Sequence, residues 1–172
     1  NDGGSPQTPK ATLSALLAAR DIEPGDIIYV DTGQYLLNFE TVVDIQDQGD
    51  VGSPVTVRGS THPAGSTFDL QGNSGSVIQS LASYLTVENL RLTGATSGGG
   101  FTPSDGSNNG QGTSTTLRSC RLYGNKYGVW LNWGPDDVAL QNCLIYDNQT
   151  AGVYAYSMGT TAVAPQIFNC TI

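Results

Sequence analysis

Short segments in which apolar and polar residues alternate recur along most of the chain. They begin at residues 28, 55, 85, 115, 138 and 165, so successive starts lie 27, 30, 30, 23 and 27 residues apart. Alternation with a period of two is typical of β-strands that bury one face. In residues 55–58, Val55 and Val57 should point inward, and Thr56 and Arg58 outward. A short repeat that carries one such strand each time indicates a solenoid of stacked coils.

The N-terminal region follows a helical pattern instead. Three leucines share one helix face, among alanines that favour helix formation: Leu13, Leu16 and Leu17. We expect Thr12 to cap the start of this helix, with Thr8 before a proline as the alternative start, and the helix to end near Arg20. A turn at 21–26 then leads into the first strand at 27–30.

A longer repeat surrounds the cysteines. Residues 117–125 match residues 140–148, and a shorter third copy occupies 167–172. A further strand follows the first two copies, at 128–132 and 152–156. Each coil therefore consists of a strand, a tight bend, a second strand, a turn, a third strand and a loop.

The repeat places one cysteine at the tight bend of each copy: Cys120, Cys143 and Cys170. Leu90 takes this position one coil earlier. Equivalent residues of stacked coils lie about 4.8 Å apart, and three side chains that point the same way cannot all pair in disulfides. We expect three free, buried thiols that behave as small apolar side chains.

This coil pattern resembles the right-handed parallel β-helix repeats of the pectate-lyase-like superfamily. Three stretches also look like the N-terminal cap of secreted β-helix proteins: Asn1-Asp2-Gly3, Thr8-Pro9-Lys10 and Pro24-Gly25-Asp26. The resemblance implies an all-β, right-handed, single-stranded parallel β-helix with an N-terminal capping helix. We expect one domain over 1–172, with a cap at 1–26 and about five coils at 27–172. The repeats predict one core column: Val30, Val57, Val87, Leu117, Leu140 and Ile167.

The C-terminal end of this solenoid should be open. The third copy stops two residues after its cysteine. An uncovered last coil exposes apolar interior and unpaired strand edges, so solenoids need terminal caps. We therefore expect the chain to be a fragment of a longer β-helix. Its partners at this end would be further coils or a second copy of the chain.

Composition narrows the classes of function. The chain has 7 Lys and Arg against 15 Asp and Glu, a net charge of −8, which argues against nucleic-acid binding. No apolar run approaches the roughly 18 residues of a membrane span. An acidic, lysine-poor composition is typical of secreted and surface proteins. We expect a secreted or cell-surface protein of bacterial origin.

One outward column should alternate in charge: Asp31, Arg58, Glu88, Arg118 and Gln141. Opposite charges on neighbouring coils attract one another, so the column is expected to stabilise the stack of coils. The alternative is a site for a charged sugar.

The third strands of the last two coils should turn large aromatic residues outward. Trp130 and Asn132 point out from one strand, and Tyr154 and Tyr156 lie beside them on the next. Another outward pair is expected on a neighbouring face: Tyr123 and Tyr146. Exposed aromatic rings stack on the apolar faces of sugars, and adjacent amides and carboxylates bind hydroxyls. The sequence predicts a polysaccharide-binding surface: Trp130, Asn132, Trp133, Tyr154, Tyr156, Asp136 and Asp137.

The alternative is that these rings only stack to stabilise the coils, or that the glycine-rich segment 94–114 packs over them. That segment has no phosphate-binding pattern. Acidic residues at 44–50, Asp105 and the Asp136-Asp137 pair could offer oxygen ligands to calcium, but acids in loops are usually solvated. With a single histidine, His62, a zinc site is not expected. We expect no metal site or cofactor, with calcium as the one candidate.

The sequence shows no complete catalytic constellation, so the catalytic residues are unknown. A glycoside hydrolase needs two carboxylates at a set separation, and Asp136 and Asp137 are adjacent and need not converge. The Gly-His-Gly pattern of polygalacturonases is absent. The favoured function is an extracellular β-helix module that binds polysaccharide or forms a structural part of a larger surface protein. The alternative is the N-terminal part of a polysaccharide lyase, hydrolase or epimerase whose catalytic coils lie downstream.

Overall fold

A computed structural model describes residues 1–103, 112–132, 137–156 and 165–172. These residues form one short helix, α1 (Leu13–Leu17), a 3-10 turn at Ile45–Asp47 and sixteen short strands. The strands are β1 (Ile27–Val30), β2 (Gly33–Leu36), β3 (Thr41–Val43), β4 (Val55–Gly59), β5 (Ser66–Asp69), β6 (Ile78–Ser80), β7 (Leu85–Glu88), β8 (Leu90–Thr93), β9 (Gly99–Pro103), β10 (Thr116–Arg118), β11 (Arg121–Tyr123), β12 (Tyr127–Asn132), β13 (Ala139–Gln141), β14 (Leu144–Tyr146), β15 (Ala151–Tyr156) and β16 (Gln166–Phe168).

The strands form three parallel sheets, each containing one strand from every coil. The first sheet runs β1-β4-β7-β10-β13-β16, the second β2-β5-β8-β11-β14 and the third β3-β6-β9-β12-β15. Among the described residues this makes five coils of three strands and the first strand of a sixth. The parallel β-helix predicted from the repeats is confirmed.

The helix α1 covers the N-terminal end of the coils. The Thr12 side chain accepts a hydrogen bond from the backbone N–H of Ala15 at 3.1 Å, as the sequence predicts. Leu13 is buried, and Leu16 and Leu17 pack against the core. The helix ends at Leu17, earlier than predicted. No helix among the described residues has the length and apolar character needed to cross a membrane.

The core column of the first sheet follows the predicted register, except in the first coil. Val57, Val87, Leu117 and Leu140 are aligned and fully buried. Ile28, rather than Val30, lies beside Val57 in β1. The prediction for Val30 was wrong by two residues, because a shift of two keeps the same side chains inward and therefore leaves the alternation unchanged.

In the third to sixth coils, the tight bend after the strand of the first sheet is made by one residue in the left-handed region. These residues are Asn89, Ser119, Asn142 and Asn169, with φ of 58°, 54°, 54° and 50°. Asparagine tolerates this conformation better than most residues because its short side chain can hydrogen-bond locally. Because the bend takes so few residues, the next side chain of each coil enters the core at the same place.

The cysteine column lies directly after these bends. All three cysteines are free thiols; Cys120 and Cys143 are buried and Cys170 is half-buried. Each sulfhydryl donates to a backbone carbonyl of the preceding coil: Val87 at 3.4 Å, Leu117 at 3.5 Å and Leu140 at 3.5 Å. A hydrogen bond with Cys143, together with burial, raises the pKa of Cys120. The environment of Cys120 is therefore that of a structural thiol rather than a reactive one.

The glycine-rich segment contains a strand that the sequence reading did not find. Part of the segment 94–114 forms β9, which pairs with β6 and β12. Phe101 is fully buried in the core. A Cβ atom on Gly100 would lie 2.8 Å from the Asn125 amide nitrogen, so glycine is needed where these coils pack. Asp105 lies outside the described residues.

Candidate functional site

The candidate site lies on β12 and β15, the third strands of the fourth and fifth coils. The two strands pair in parallel, with Trp130 beside Tyr154 and Asn132 beside Tyr156. Val129 and Leu131 of β12 are fully buried in the core, so the alternate side chains of this strand, Trp130 and Asn132, point outward. The structure thus brings together four of the residues predicted from the sequence. Trp133 and Asp136 lie outside the described residues.

Tyr127 belongs to the same group, and the sequence analysis missed it. Its ring stacks on that of Tyr154, with centroids 4.7 Å apart and planes 11° apart, and lies 5.5 Å from the Trp130 ring. The Lys126 ammonium nitrogen lies 5.3 Å from the Tyr127 centroid. The predicted strand began at Gly128, whereas β12 begins at Tyr127. We call Tyr127, Trp130, Asn132, Tyr154 and Tyr156 the aromatic surface.

Contacts between the rings of the aromatic surface cover some of the ring faces, which are then not available to a ligand. Tyr127 is only 9% exposed, and its stacking covers one face of Tyr154. Tyr154 and Tyr156 have centroids 6.4 Å apart, and Tyr156 is 51% exposed. Tyr127 and Tyr154 therefore help to hold two coils together, as the alternative interpretation expected. The exposed tyrosine side chain leaves apolar ring area for an external ligand.

Two polar atoms of the aromatic surface are buried without a partner among the described residues: Trp130 Nε1 and Asn132 Oδ1. The two residues are two positions apart on one face of β12, about 6.6 Å along the strand. An unsatisfied buried donor or acceptor costs about 1–3 kcal/mol. A hydroxyl group can accept from an indole N–H and donate to an amide oxygen.

Two of the acidic residues that the sequence offered to a sugar or to calcium have described surroundings: Asp137 and Asp47. Asp137 is exposed, and its Oδ1 accepts a hydrogen bond from Gln166 Nε2 at 3.3 Å. Asp47 is buried, and burial raises the pKa of its carboxyl, with Asp44 and Asp21 adding repulsion. Within the described ranges, no group of three histidine, cysteine or acidic side chains is arranged to hold a metal ion.

The charged column of the first sheet has a different first member from the predicted one. Tyr29, not Asp31, lies beside Arg58, whose Cζ is 5.7 Å from the Tyr29 centroid. Glu88 is 8% exposed; it pairs with Arg58 Nε and lies 3.8 Å from Arg118 Nη1. Opposite charges thus face each other from coil to coil, which supports a stabilising role for this column.

Two solved structures are similar to this chain in fold. Pectate lyase Pel9A has 18% sequence identity and a TM-score of 0.48, with 96% of this chain and 54% of that chain covered. A rhamnogalacturonan lyase has 18% identity and a TM-score of 0.46, with 98% and 59% covered. The chain spans little more than half the length of either lyase.

No curated protein sequence matches this chain. The family model described as "Right handed beta helix region" matches residues 28–172, which include every strand of the three sheets except the first residue of β1. By this match and by its three parallel sheets, the chain belongs to the right-handed β-helix family.

Proposed function

We propose that this chain is an extracellular β-helix module that binds polysaccharide through the aromatic surface. The observation that carries the proposal is that Trp130 Nε1, a buried donor, and Asn132 Oδ1, a buried acceptor, lie on one strand face beside aromatic rings, and neither has a partner among the described residues. Hydroxyl groups next to an apolar ring face are the groups that a sugar offers. Because both atoms are buried in the unbound chain, neighbouring groups must move before a sugar hydroxyl can reach them.

The arrangement also suits an extended ligand. Equivalent residues of β12 and β15 are one coil apart, about 4.8 Å, so the aromatic surface continues along the solenoid axis. A polymer that follows this axis would contact both strands at once. The exposed Tyr156 offers ring area at the side of Asn132.

The experiment is a glycan array followed by titration calorimetry with the best-bound glycan. Trp130→Ala should weaken binding on the order of tenfold or more, since buried aromatic anchors dominate such contacts. Trp130→Phe keeps an aromatic ring but lacks Nε1. Its affinity for the glycan should lie between those of the parent chain and of Trp130→Ala. Phe39→Ala is the matched control, because Phe39 is an 83% exposed aromatic residue in the first coil.

Unchanged affinity of a folded Trp130→Ala variant would contradict the proposed surface. Absence of binding to every glycan would favour a structural part of a surface protein. Release of shortened glycan products during the titration would favour the enzyme alternative. Thermal unfolding of each variant separates a loss of binding from a loss of folding.

A further inference from the structure

A second outward surface lies on a different sheet, formed by β8, β11 and β14. Arg91 and Arg121 are directly paired in the register of β8 and β11. Tyr123 and Tyr146 are directly paired in the register of β11 and β14. Arg121 and Tyr123 are two residues apart and so point to the same side. We call these four residues the arginine–tyrosine patch.

The two arginines place like charges on neighbouring coils. Paired strands are about 4.8 Å apart, and like charges directly opposite each other are unfavourable. Elsewhere the same solenoid avoids this, because Glu88 separates Arg58 from Arg118 in the first sheet. The chain has only 7 Lys and Arg and a net charge of −8. Two of these few cations are nevertheless stacked on one face, and neither forms an ion pair with the described residues.

The guanidinium groups retain donors for an external partner. Arg121 is exposed and makes no ion pair or hydrogen bond through its side chain with the described residues. Arg91 uses Nη2 to donate to the Pro63 carbonyl at 2.6 Å, which leaves most of its donors unassigned.

The one carboxylate on the strands of this sheet is already engaged. On the five strands of this sheet, all of them described, Asp69 is the only acidic residue. Its Oδ2 accepts from Gln34 Nε2 at 3.1 Å, and its Oδ1 accepts from the backbone N–H of Gln71 at 2.8 Å. Asp69 forms no ion pair with either arginine of the patch.

The tyrosines add hydroxyl groups beside the charges. The Tyr123 and Tyr146 rings stack with centroids 5.2 Å apart and planes 14° apart, and Tyr146 is 37% exposed. Burial and the Tyr146 hydroxyl raise the pKa of Tyr123, against the opposing effect of Arg91 and Arg121. The Tyr123 phenol thus stays protonated and can donate at neutral pH, and the Tyr146 hydroxyl lies beside it.

We propose that the arginine–tyrosine patch is a second binding site, which takes an acidic polysaccharide by contacting its carboxylate or sulfate groups with Arg121 and Arg91 and its hydroxyls with Tyr123 and Tyr146. A guanidinium group matches the geometry of such anions and binds them through charge-assisted hydrogen bonds. The anion would also offset the repulsion between the two arginines. This site lies on another sheet from the aromatic surface and does not depend on it.

A polysaccharide suits the patch better than an acidic peptide does. The four residues combine charged donors with neutral hydroxyl donors on three successive coils. Sugar units that carry both an anionic group and free hydroxyls satisfy both kinds of donor, whereas an acidic side chain on a peptide satisfies only the first.

The test compares three polymers with one backbone: dextran, carboxymethyl dextran and dextran sulfate. Titration at low salt should show binding of at least one charged dextran and no binding of dextran at this site. Arg121→Gln should weaken the charged interaction at least about tenfold, because it removes charge-assisted hydrogen bonds. Tyr146→Phe keeps the ring stack and should cost a few-fold. Added salt should weaken binding.

Lys10→Gln is the matched control, since it changes the net charge equally but lies in the N-terminal segment. Arg121→Gln should not lower the melting temperature. The Arg121 side chain has no ion pair or hydrogen bond with the described residues to lose, and its replacement removes the repulsion between Arg121 and Arg91. The proposal is overturned if neither charged dextran binds, if Arg121→Gln binds as well as the parent, or if Lys10→Gln is equally weakened. Equal, Arg121-dependent binding of poly-glutamate would replace it with an acidic protein partner. None of these outcomes decides whether the aromatic surface binds glycans, which the Trp130 variants test separately.

Discussion

Glu88 is the central residue of the charged column on the first sheet. Its carboxylate lies between Arg58 on the preceding coil and Arg118 on the following one. The residue is buried while both arginine side chains are partly exposed, 37% and 50%. A buried carboxylate needs such partners, because its charge is poorly solvated.

Glu88→Gln should therefore destabilise the protein, because the amide keeps a hydrogen-bond acceptor but loses the charge that holds two arginines. We expect the melting temperature to fall by about 2–4 °C, as for a modest loss of stability in a domain of this size. The difference should shrink in high salt, which weakens the charge interactions of the parent protein. Glu23→Gln, at an exposed position, is the control. An equal effect of both substitutions would show that the column adds nothing specific.

At the scale of the element, the turn between the second and third sheets depends on stacked asparagines. Asn125 is fully buried; its Oδ1 accepts from the Ala95 N–H at 3.0 Å and its Nδ2 donates to the Leu92 carbonyl at 3.0 Å. Asn148, one coil later, repeats the second contact with the Leu122 carbonyl at 3.0 Å. These side chains satisfy backbone groups that the turn leaves outside the strand ladders.

Asn125→Ala should cost about 2–4 kcal/mol of unfolding free energy, because two buried backbone groups lose their partners. Asn148→Ala should cost less, since Asn148 is only half-buried and water can replace part of what it provides. Urea denaturation of both variants measures the difference. The same loss in both would mean that the turn does not depend on burial of the amide.

The strands that the sequence predicted well are those with matching neighbours. Residues 117–125 and 140–148 share apolar positions and cysteines, so their register could be read directly. The first coil was misplaced by two residues, because a pattern with a period of two cannot distinguish such a shift. The strand β9 was missed because its glycines carry no hydrophobic signal, and only Phe101 points to a core.

The candidate site was predictable to the extent that it depends on alternation. Trp130 and Tyr154 were placed side by side by their positions within strands, and the structure confirms this. Tyr127 was missed because β12 begins one residue earlier than its apolar pattern. Ring stacking between Tyr127 and Tyr154 depends on side-chain torsions, on which the sequence is silent. The paired arginines became visible only when the register of β8 and β11 was known.

At the scale of the whole molecule, burial falls from the middle coils toward the last one. In the first-sheet core column, Leu117 and Leu140 are fully buried whereas Ile167 is 43% exposed. Phe168 and Ile172 are 53% and 60% exposed. Within the described ranges, β15 and β16 each pair with one strand only, and beyond β11 the strand β14 has only an isolated bridge from Leu144 to Thr171. Exposed apolar side chains and unpaired strand edges both favour association with another surface.

The 172-residue chain should therefore self-associate through this end as its concentration rises. Ile167→Lys should shift the equilibrium toward monomer, because it places a charge at the centre of the exposed core column and also blunts the edge strand β16. Phe39→Lys is the matched control, since it removes a still more exposed apolar side chain from the first coil. Sedimentation velocity over a hundredfold range of concentration, roughly micromolar to a tenth of millimolar, measures the effect at accessible affinities. A parent chain that stays monomeric throughout, or a control that dissociates as readily as Ile167→Lys, would show that this end does not mediate association.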